Sequence, residues 1–201
     1  MPIKPDREYR SMPLMSPSDV KRIQTDFYVE GYATTFNDPY VMFERDGKQY
    51  KEMVDRDALN GTDLSDIIMQ YDHAGRVRAR TSNGTLGVEP NERGLFMFAD
   101  LSRSGAAKEL YEDISTGLIT RMSWAFTVAD DEYDEKNRTR IIKRIRKVFD
   151  LSAVSIPANP GTEISARSYF DGVIEAELQE LQRRQKELEL SKAKYFFIEV
   201  K

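Results

Sequence analysis

The chain has 201 residues, 40% of them hydrophobic, which is enough for one domain with its own core and a short appendage. Thirty Lys and Arg against 34 Asp and Glu leave a formal net charge of −4, so no basic excess indicates a nucleic-acid or anionic-membrane partner. The absence of cysteine excludes thiol nucleophiles, disulfides and thiolate metal sites, and the single histidine, His73, excludes metal sites with two imidazoles.

The N-terminal half is predicted to be an extended arm followed by strands. Four of the eight prolines lie within residues 1–24, which favours a mostly extended arm. Runs of β-branched and aromatic residues bounded by turn residues then indicate strands. The predicted strands cover residues 27–36, 50–54, 66–73, 85–89 and 94–101, the last two as a hairpin.

The C-terminal half is predicted to contain one short helix, further strands and a long helix. Ser104 is a favoured N-cap, four apolar residues follow at helical spacing, and Gly117 can end the helix. Strands are predicted at 118–128, 139–149 and 150–156, with an acidic flexible turn at 130–136 and a stop at 157–161. Residues 173–194 contain no Gly or Pro and carry a partial apolar stripe, which predicts a long amphipathic helix.

No segment approaches the roughly 18 apolar residues that a membrane span requires. The first residues are polar, with no apolar run behind them, unlike a secretory signal peptide. We therefore expect a soluble protein that acts where it is made.

His73 and Ser123 are the first candidates for chemistry. His73 ends an apolar predicted strand and precedes a small Ala-Gly pair, a place where a side chain can be both fixed and accessible. Ser123 lies in the alternating segment 121–128, whose apolar face belongs to the core, so its hydroxyl is expected on the opposite face beside Ala125. Periodicity alone does not separate Ser123 from an ordinary strand serine, or His73 from an ordinary surface histidine.

Two acids are candidates for orienting the histidine ring. Asp72 adjoins His73, but neighbouring side chains of a strand point to opposite faces, so its geometry is poor. Asp150 begins an apolar predicted strand, where an acid can be placed rigidly. The alternative interpretation of Asp150 is a solvated carboxylate at the end of a strand.

Two charged runs have simpler explanations than ligand binding. The acidic run at 130–135 lacks the spaced ligands and the glycine of an EF-hand, which favours a solvated hairpin tip. The basic run at 138–147 alternates with Ile as an exposed strand does, and no aromatic platform adjoins it. The chain also lacks a phosphate-binding glycine loop and a dinucleotide fingerprint.

Six short motifs occur in an order and spacing that are specific to one protein family. They are Glu30-Gly31-Tyr32-Ala33 followed by Phe36-Asn37, Tyr71-Asp72-His73, Gly94-Leu95 leading to Ala99-Asp100-Leu101, Ile114-Ser115-Thr116-Gly117, Met122-Ser123-Trp124-Ala125-Phe126, and Val148-Phe149-Asp150-Leu151-Ser152-Ala153-Val154-Ser155-Ile156-Pro157-Ala158-Asn159-Pro160. With these motifs the chain resembles, over residues 26–165, the prohead maturation proteases of tailed bacteriophages. Those are serine proteases related in fold to the herpesvirus assemblins.

The resemblance implies a catalytic triad. The family's histidine falls on His73, its nucleophilic serine on Ser123, and its acidic third member, commonly Glu, on Asp150. Two positions depart from the family's pattern: many relatives have Gly where this chain has Ala125, and the shorter Asp150 must come closer to the ring than a Glu would. The herpesvirus relatives use a second histidine as third member, which this chain does not contain.

Pattern and resemblance together predict an α+β fold. We expect a β-rich, mostly antiparallel, barrel-like sheet with few surrounding helices and a C-terminal amphipathic helix. The predicted domains are an extended arm at 1–24, a serine protease domain at 25–170 and a helical tail at 171–201.

The implied function is a serine endopeptidase that cleaves capsid or scaffold protein during phage procapsid maturation, with the protease itself as a further candidate substrate. The alternative is a non-enzymatic, scaffold-associated capsid assembly protein on the same fold. The implied partners are the major capsid protein, its scaffold segment and other copies of the chain, without nucleic acid or membrane. No cofactor is implied, and the expected location is the assembling procapsid in the host cytoplasm.

Overall fold

Ten strands and two α-helices make up the part of the chain described by the structure, a computed structural model that covers residues 7–13, 21–155 and 164–199. The elements in chain order are β1 (Glu8–Pro13), β2 (Tyr28–Thr35), β3 (Tyr40–Arg45), β4 (Lys48–Val54), β5 (Ile68–Tyr71), β6 (Ala74–Arg80), β7 (Leu86–Pro90), β8 (Gly94–Asp100), α1 (Gly105–Ser115), β9 (Arg121–Asp134), β10 (Thr139–Val154) and α2 (Ile164–Glu199). The chain divides into two compact units, Met1–Ser165 and Ala166–Lys201.

The strands form two sheets. The larger runs in the order β1-β9-β10-β4-β3, with β5 also pairing with β10, and β6 with β5. The smaller runs in the order β2-β8-β7. Six of the eight described pairings are antiparallel, and β10 pairs in parallel with β4 and β5. The predicted β-rich, mostly antiparallel architecture is confirmed, although the described strands do not close into a complete barrel.

Strand β10 organises the larger sheet. Strand β9 pairs along almost its whole length, while β4 meets its first residues and β5 meets its last, from Asp150 to Ala153. The two strands predicted at 139–149 and 150–156 are therefore one strand, bent by several register shifts. Because Tyr71, the last residue of β5, pairs with Ala153, the turn after β5 lies beside the end of β10.

The core is built from the apolar face of β9 and its neighbours. Met122, Trp124 and Phe126 alternate along β9 and are fully buried, as predicted, and the last two rings stack with their centroids 4.2 Å apart. Burial of each such side chain stabilises the fold by about 1.5–3 kcal/mol. This packing fixes β9 rigidly and leaves its other face free to carry polar groups.

The two predicted helices are present. Ser104 caps α1 by accepting a hydrogen bond from the backbone N–H of Ala107 at 3.1 Å, and Gly117 follows the helix with a φ of +77°. The second helix, α2, contains the predicted segment 173–194 and extends beyond both of its ends. Neither described helix has the length and apolar composition needed to cross a membrane.

The sequence prediction differs from the structure mainly in three missed strands and in the acidic segment at the end of β9. Strands β1, β3 and β6 were not predicted, and β1 lies within the predicted arm. The acidic segment predicted as a flexible turn instead extends β9 to Asp134 and pairs in the sheet with the basic half of β10. The opposite charges of the two strands attract each other, and the Asp131 carboxylate accepts a hydrogen bond from Arg140 Nε at 2.8 Å. The predicted stop at 157–161 lies outside the described residues.

Candidate active site

His73 occupies the two-residue turn between β5 and β6. Tyr71 pairs with Ala74 across the hairpin, which leaves Asp72 and His73 as the turn residues, with φ angles of +48° and +54°. Two successive left-handed residues are the requirement of a type I′ turn, and Asp and His adopt that conformation more readily than most residues with a side chain. His73 therefore belongs to a turn and not to the strand predicted at 66–73.

Asp72 anchors this turn to the end of β10. Its backbone N–H donates to the carbonyl of Ala153 at 2.9 Å. Its carboxylate accepts hydrogen bonds from the backbone N–H of Ser155 at 3.0 Å and from the Ser155 hydroxyl at 2.8 Å. The prediction dismissed Asp72 as a partner for the ring, and the structure gives it this separate contact.

Ser123, His73 and Asp150 lie in one hydrogen-bonded row. Ser123 Oγ is 2.7 Å from His73 Nε2, and His73 Nδ1 is hydrogen-bonded to Asp150 Oδ1. The three residues are only 4%, 9% and 4% exposed. An ionised carboxylate only accepts hydrogen bonds, so the proton belongs on Nδ1 and Nε2 can accept the Ser123 hydroxyl proton. The structure thus brings together the three residues that the resemblance indicated.

The register of β9 and β10 puts the polar groups of the site on one face of the sheet. Asp150 pairs with Ala125, and Ser152 pairs with Ser123. Directly paired residues share a face, as do residues two apart on a strand. Ser152 is 0% exposed, and its hydroxyl donates to Asp150 Oδ1 at 2.7 Å. Sequence reasoning missed Ser152, although its spacing of two residues from Asp150 was a usable signal.

Strand β1 covers the other edge of β9 and adds an aromatic ring to the site. Ser11 pairs with Ser123, and Tyr9 pairs with Ala125. The Tyr9 ring packs edge-on against the His73 ring, with centroids 4.7 Å apart and an interplanar angle of 74°. Sequence reasoning missed Tyr9 as well, because no pattern in the proline-rich N-terminal segment predicts a strand.

A buried ion cluster holds β1 from the opposite face of the sheet. Arg10 donates to Glu52 at 2.5 and 2.7 Å, and Arg140 donates to Glu8 at 2.7 and 3.0 Å and to Glu52 at 3.1 Å. The Tyr40 hydroxyl also donates to Glu52, at 2.6 Å. Burial acts to raise the pKa of Glu8, but the two guanidinium groups outweigh it and hold that pKa below its ordinary value.

A cleft of about 370 Å³ opens beside His73 and Asp150. Its walls carry charged side chains together with apolar ones, chiefly Arg7, Asp66, Ile68, Arg80, Lys147 and Phe149. Arg80 and Asp66 pair with each other at 2.7 and 2.5 Å. Ser123 does not line the cleft, so the cleft lies on the carboxylate side of the ring. Within the described ranges, no cluster of three or more acidic or histidine side chains is arranged to hold a metal ion.

The arrangement has the parts required for nucleophilic attack by a serine. A serine hydroxyl is a weak nucleophile at neutral pH and needs a base within hydrogen-bond reach, as His73 Nε2 is to Ser123 Oγ. The Asp150 carboxylate, hydrogen-bonded to the opposite ring nitrogen, is placed where it can fix the tautomer and stabilise an imidazolium.

Comparison with known proteins supplies the family context. Residues 16–174 match the family model described as caudovirus prohead serine protease. The prohead protease of Enterobacteria phage HK97 is 29% identical over 150 residues, covering 72% of this chain but only 61% of that protein. Among solved structures, the bacteriophage T4 capsid assembly protease has a TM-score of 0.45 and 11% identity, over 76% of this chain and 98% of that chain.

Proposed function

We propose that this chain, which belongs to the caudovirus prohead serine protease family, is a serine endopeptidase that cleaves capsid or scaffold protein during procapsid maturation. The observation that carries the proposal is the buried row of Ser123, His73 and Asp150, with 2.7 Å between Ser123 Oγ and His73 Nε2. All three residues lie within the segment 16–174 that matches the family.

In the first half of the proposed reaction, Ser123 Oγ attacks the carbonyl carbon of the scissile peptide bond. His73 Nε2 takes the hydroxyl proton as the new C–O bond forms, and the Asp150 carboxylate stabilises the resulting imidazolium. The carbonyl electron pair moves to the oxygen and returns as the C–N bond breaks. His73 then gives its proton to the departing amine, which leaves an ester on Ser123.

In the second half, water replaces the amine. His73 takes a proton from the water molecule as its oxygen attacks the ester carbon, and returns that proton to Ser123 Oγ when the C–O bond to the serine breaks. A carboxylic acid product leaves and the site is restored. The chain's own residues account for every proton transfer in this scheme.

The substrate and location are proposed from the family. The family is one of prohead proteases, which supports the major capsid protein and its scaffold segment as substrates, inside the assembling procapsid in the host. Other copies of this chain are further proposed partners and substrates. The HK97 relative is named a prohead protease, which is consistent with this assignment.

A serine-directed probe tests the proposed nucleophile. The purified chain is incubated with a fluorophosphonate, and the modified peptide is located by mass spectrometry. We expect one adduct, on Ser123, that is lost in Ser123→Ala and retained in Ser11→Ala, which removes the cross-strand neighbour's hydroxyl. An unmodified Ser123 in the folded chain would favour the alternative, a non-enzymatic assembly protein on the same fold.

A second experiment tests the proposed substrate separately. The chain is co-expressed with its cognate capsid protein, and new N-termini are mapped in both proteins. We expect new termini in the capsid or scaffold protein that are absent with Ser123→Ala. Adduct formation at Ser123 without such termini would retain the chemistry and overturn the substrate.

A further inference from the structure

Ser152 is a buried polar group in the site for which the proposed reaction has no step. It lies on β10 directly across from Ser123, and its side chain is 0% exposed. Its Oγ is 2.7 Å from Asp150 Oδ1. Because an ionised carboxylate has no proton to give, the Ser152 hydroxyl is the donor in this hydrogen bond.

Two donors therefore converge on the same carboxylate oxygen. Asp150 Oδ1 accepts from His73 Nδ1 and from Ser152 Oγ. The terminal torsion of an aspartate is broad, so the carboxylate plane is poorly fixed by rotamer preference alone. A hydroxyl two residues away on the same rigid strand restricts that rotation and keeps Oδ1 toward the ring.

The Ser152 hydroxyl also acts on charge. Hydrogen bonds to ionised groups are stronger than neutral ones, and a donor to a carboxylate favours its ionised form. An ionised Asp150 leaves the shared proton on His73 Nδ1, which keeps Nε2 as the acceptor for Ser123. Without that donor, the carboxylate becomes more basic and attracts the imidazolium more strongly.

We propose that Ser152 is a positioning residue for the proposed protease reaction: its hydroxyl orients the Asp150 carboxylate toward His73 and keeps it ionised. The inference rests on the proposed function, since it assigns Ser152 a role through Asp150 and His73. Ser152 does not itself touch the reacting atoms in this assignment.

Other titratable groups near the ring have separate contacts. Asp72, in the same turn, is held by Ser155, and Lys147 of β10 donates to Asp63 at 2.6 Å. The remaining neighbours are Tyr9 and Arg7 from the N-terminal segment, Asp66 before β5 and Arg80 of β6. Arg80 and Asp66 pair with each other, and Arg7 lies 3.6 Å from the centre of the Phe149 ring. All of them remain unchanged in a Ser152 variant, so they form a constant background.

The experiment uses the fact that the chain has one histidine. Imidazole ¹⁵N signals of the full-length protein report His73 alone, whether or not the protein cleaves anything. In Ser152→Ala, we expect the midpoint of the ring titration to move to higher pH by about half a unit to one unit, because the more basic carboxylate favours the imidazolium. The pH at which the cleavage rate falls on the acid side of its profile should rise with this midpoint. The value of kcat should fall about tenfold, with KM little changed.

Three variants make the result decisive. Ser11→Ala removes a hydroxyl from the same cross-strand row, on the other side of Ser123, and should leave the midpoint at the parent value. Ser152→Thr keeps the hydroxyl and should therefore give the parent midpoint. Ser152→Cys keeps the size but is a weak donor, and should move the midpoint in the same direction as Ser152→Ala, which decides the matter even if the alanine variant does not fold.

An unmoved midpoint, or one moved to lower pH, in the folded Ser152→Ala or Ser152→Cys chain overturns the proposal. A loss of activity with an unmoved midpoint would make Ser152 merely structural. If Ser123→Ala still cleaves substrate, the proposed function fails, but the NMR titration still measures the effect of Ser152 on His73. The two failures are therefore distinguishable.

Discussion

Tyr9 packs edge-on against His73, with ring centroids 4.7 Å apart, although Tyr9 lies on β1 and His73 in the β5–β6 turn, far along the chain. The contact makes the N-terminal strand one wall of the candidate site. Tyr9 is 6% exposed, so its ring also keeps water from that side of the imidazole.

Replacement of Tyr9 tests this wall. Edge-to-face aromatic pairs contribute about 0.5–1.5 kcal/mol beyond the area they bury, so we expect Tyr9→Ala to lower kcat/KM about tenfold. Tyr9→Phe keeps the ring and should remain within about twofold of the parent. Peptide cleavage by the two variants, with folding checked by circular dichroism, makes the comparison. Parent-like cleavage by the alanine variant would show that the ring is dispensable.

Ser123→Ala should abolish cleavage and leave the fold intact. The lost hydroxyl lies on the polar face of β9, whereas the core packs against Met122, Trp124 and Phe126. Loss of a serine nucleophile typically costs about 10⁶ in kcat. The measurement is peptide hydrolysis beside thermal unfolding, and a rate within tenfold of the parent would exclude Ser123 as the nucleophile.

Cleavage should decrease as the pH is lowered from 8 to 5. Only the neutral ring of His73 can accept the Ser123 proton, and protonation of Nε2 removes that capacity. Since the chain has no other histidine, one limb with the slope of a single proton is expected in kcat/KM. A flat profile over this range would contradict a role for His73 as general base.

Acid should destabilise the fold through the buried ion cluster. Burial acts to raise the pKa of Glu8, but Arg10 and Arg140 hold it below the ordinary value of 4.5. A group with a lowered pKa in the folded state contributes stability that is present above its unfolded pKa and is lost as the pH falls through its folded pKa. The free energy of unfolding should therefore decrease as the pH falls below 4.5.

Glu8→Gln is the matched variant for that prediction. It removes the titrating carboxylate and leaves two buried guanidinium groups less well paired, which should lower stability at neutral pH by about 1–3 kcal/mol. The free energy of unfolding, measured in urea at a series of pH values, should then fall less steeply as the pH is lowered. If the unfolding free energy of the variant depends on pH below 4.5 as steeply as that of the parent, Glu8 does not contribute to the acid destabilisation.

The tail predicted at 171–201 should be dispensable for chemistry. On α2, Leu178, Leu181 and Leu188 are 52%, 51% and 56% exposed, which leaves an apolar stripe available to a partner. A chain ending at Phe170 should cleave a short peptide at the parent rate but fail to enter procapsids. Unfolding of the truncated chain would place the helix in the core and contradict the predicted boundary.

The sequence predicts those parts of the fold that depend on local patterns. The alternation of Met122, Trp124 and Phe126 identifies β9, and Ser104 marks the start of α1. Strand β1 has no such signal, because Glu8 and Arg10 look like surface residues. Their burial depends on distant partners. Arg10 binds Glu52, which is 42 positions away in the chain, and Glu8 binds Arg140, which is 132 positions away.

The candidate site also has a part that the sequence indicates and a part that depends on long-range contacts. The resemblance indicated His73, Ser123 and Asp150, whereas periodicity did not distinguish them from ordinary residues. The contacts of Tyr9 and Ser152 depend on the pairing of β1, β9 and β10, which is a long-range property. The spacing of Ser152 and Asp150 places them on one face, but no local pattern places that face beside the ring.

The left-handed turn at Asp72 and His73 also decides which inactive variant of the chain is suitable for trapping a substrate. Most residues with a side chain lose roughly 1–2 kcal/mol in that conformation, whereas asparagine adopts it readily. His73→Asn therefore removes the proposed base and keeps the hairpin. His73→Val would strain the hairpin as well, so that a failure to hold substrate could not be separated from a displaced loop.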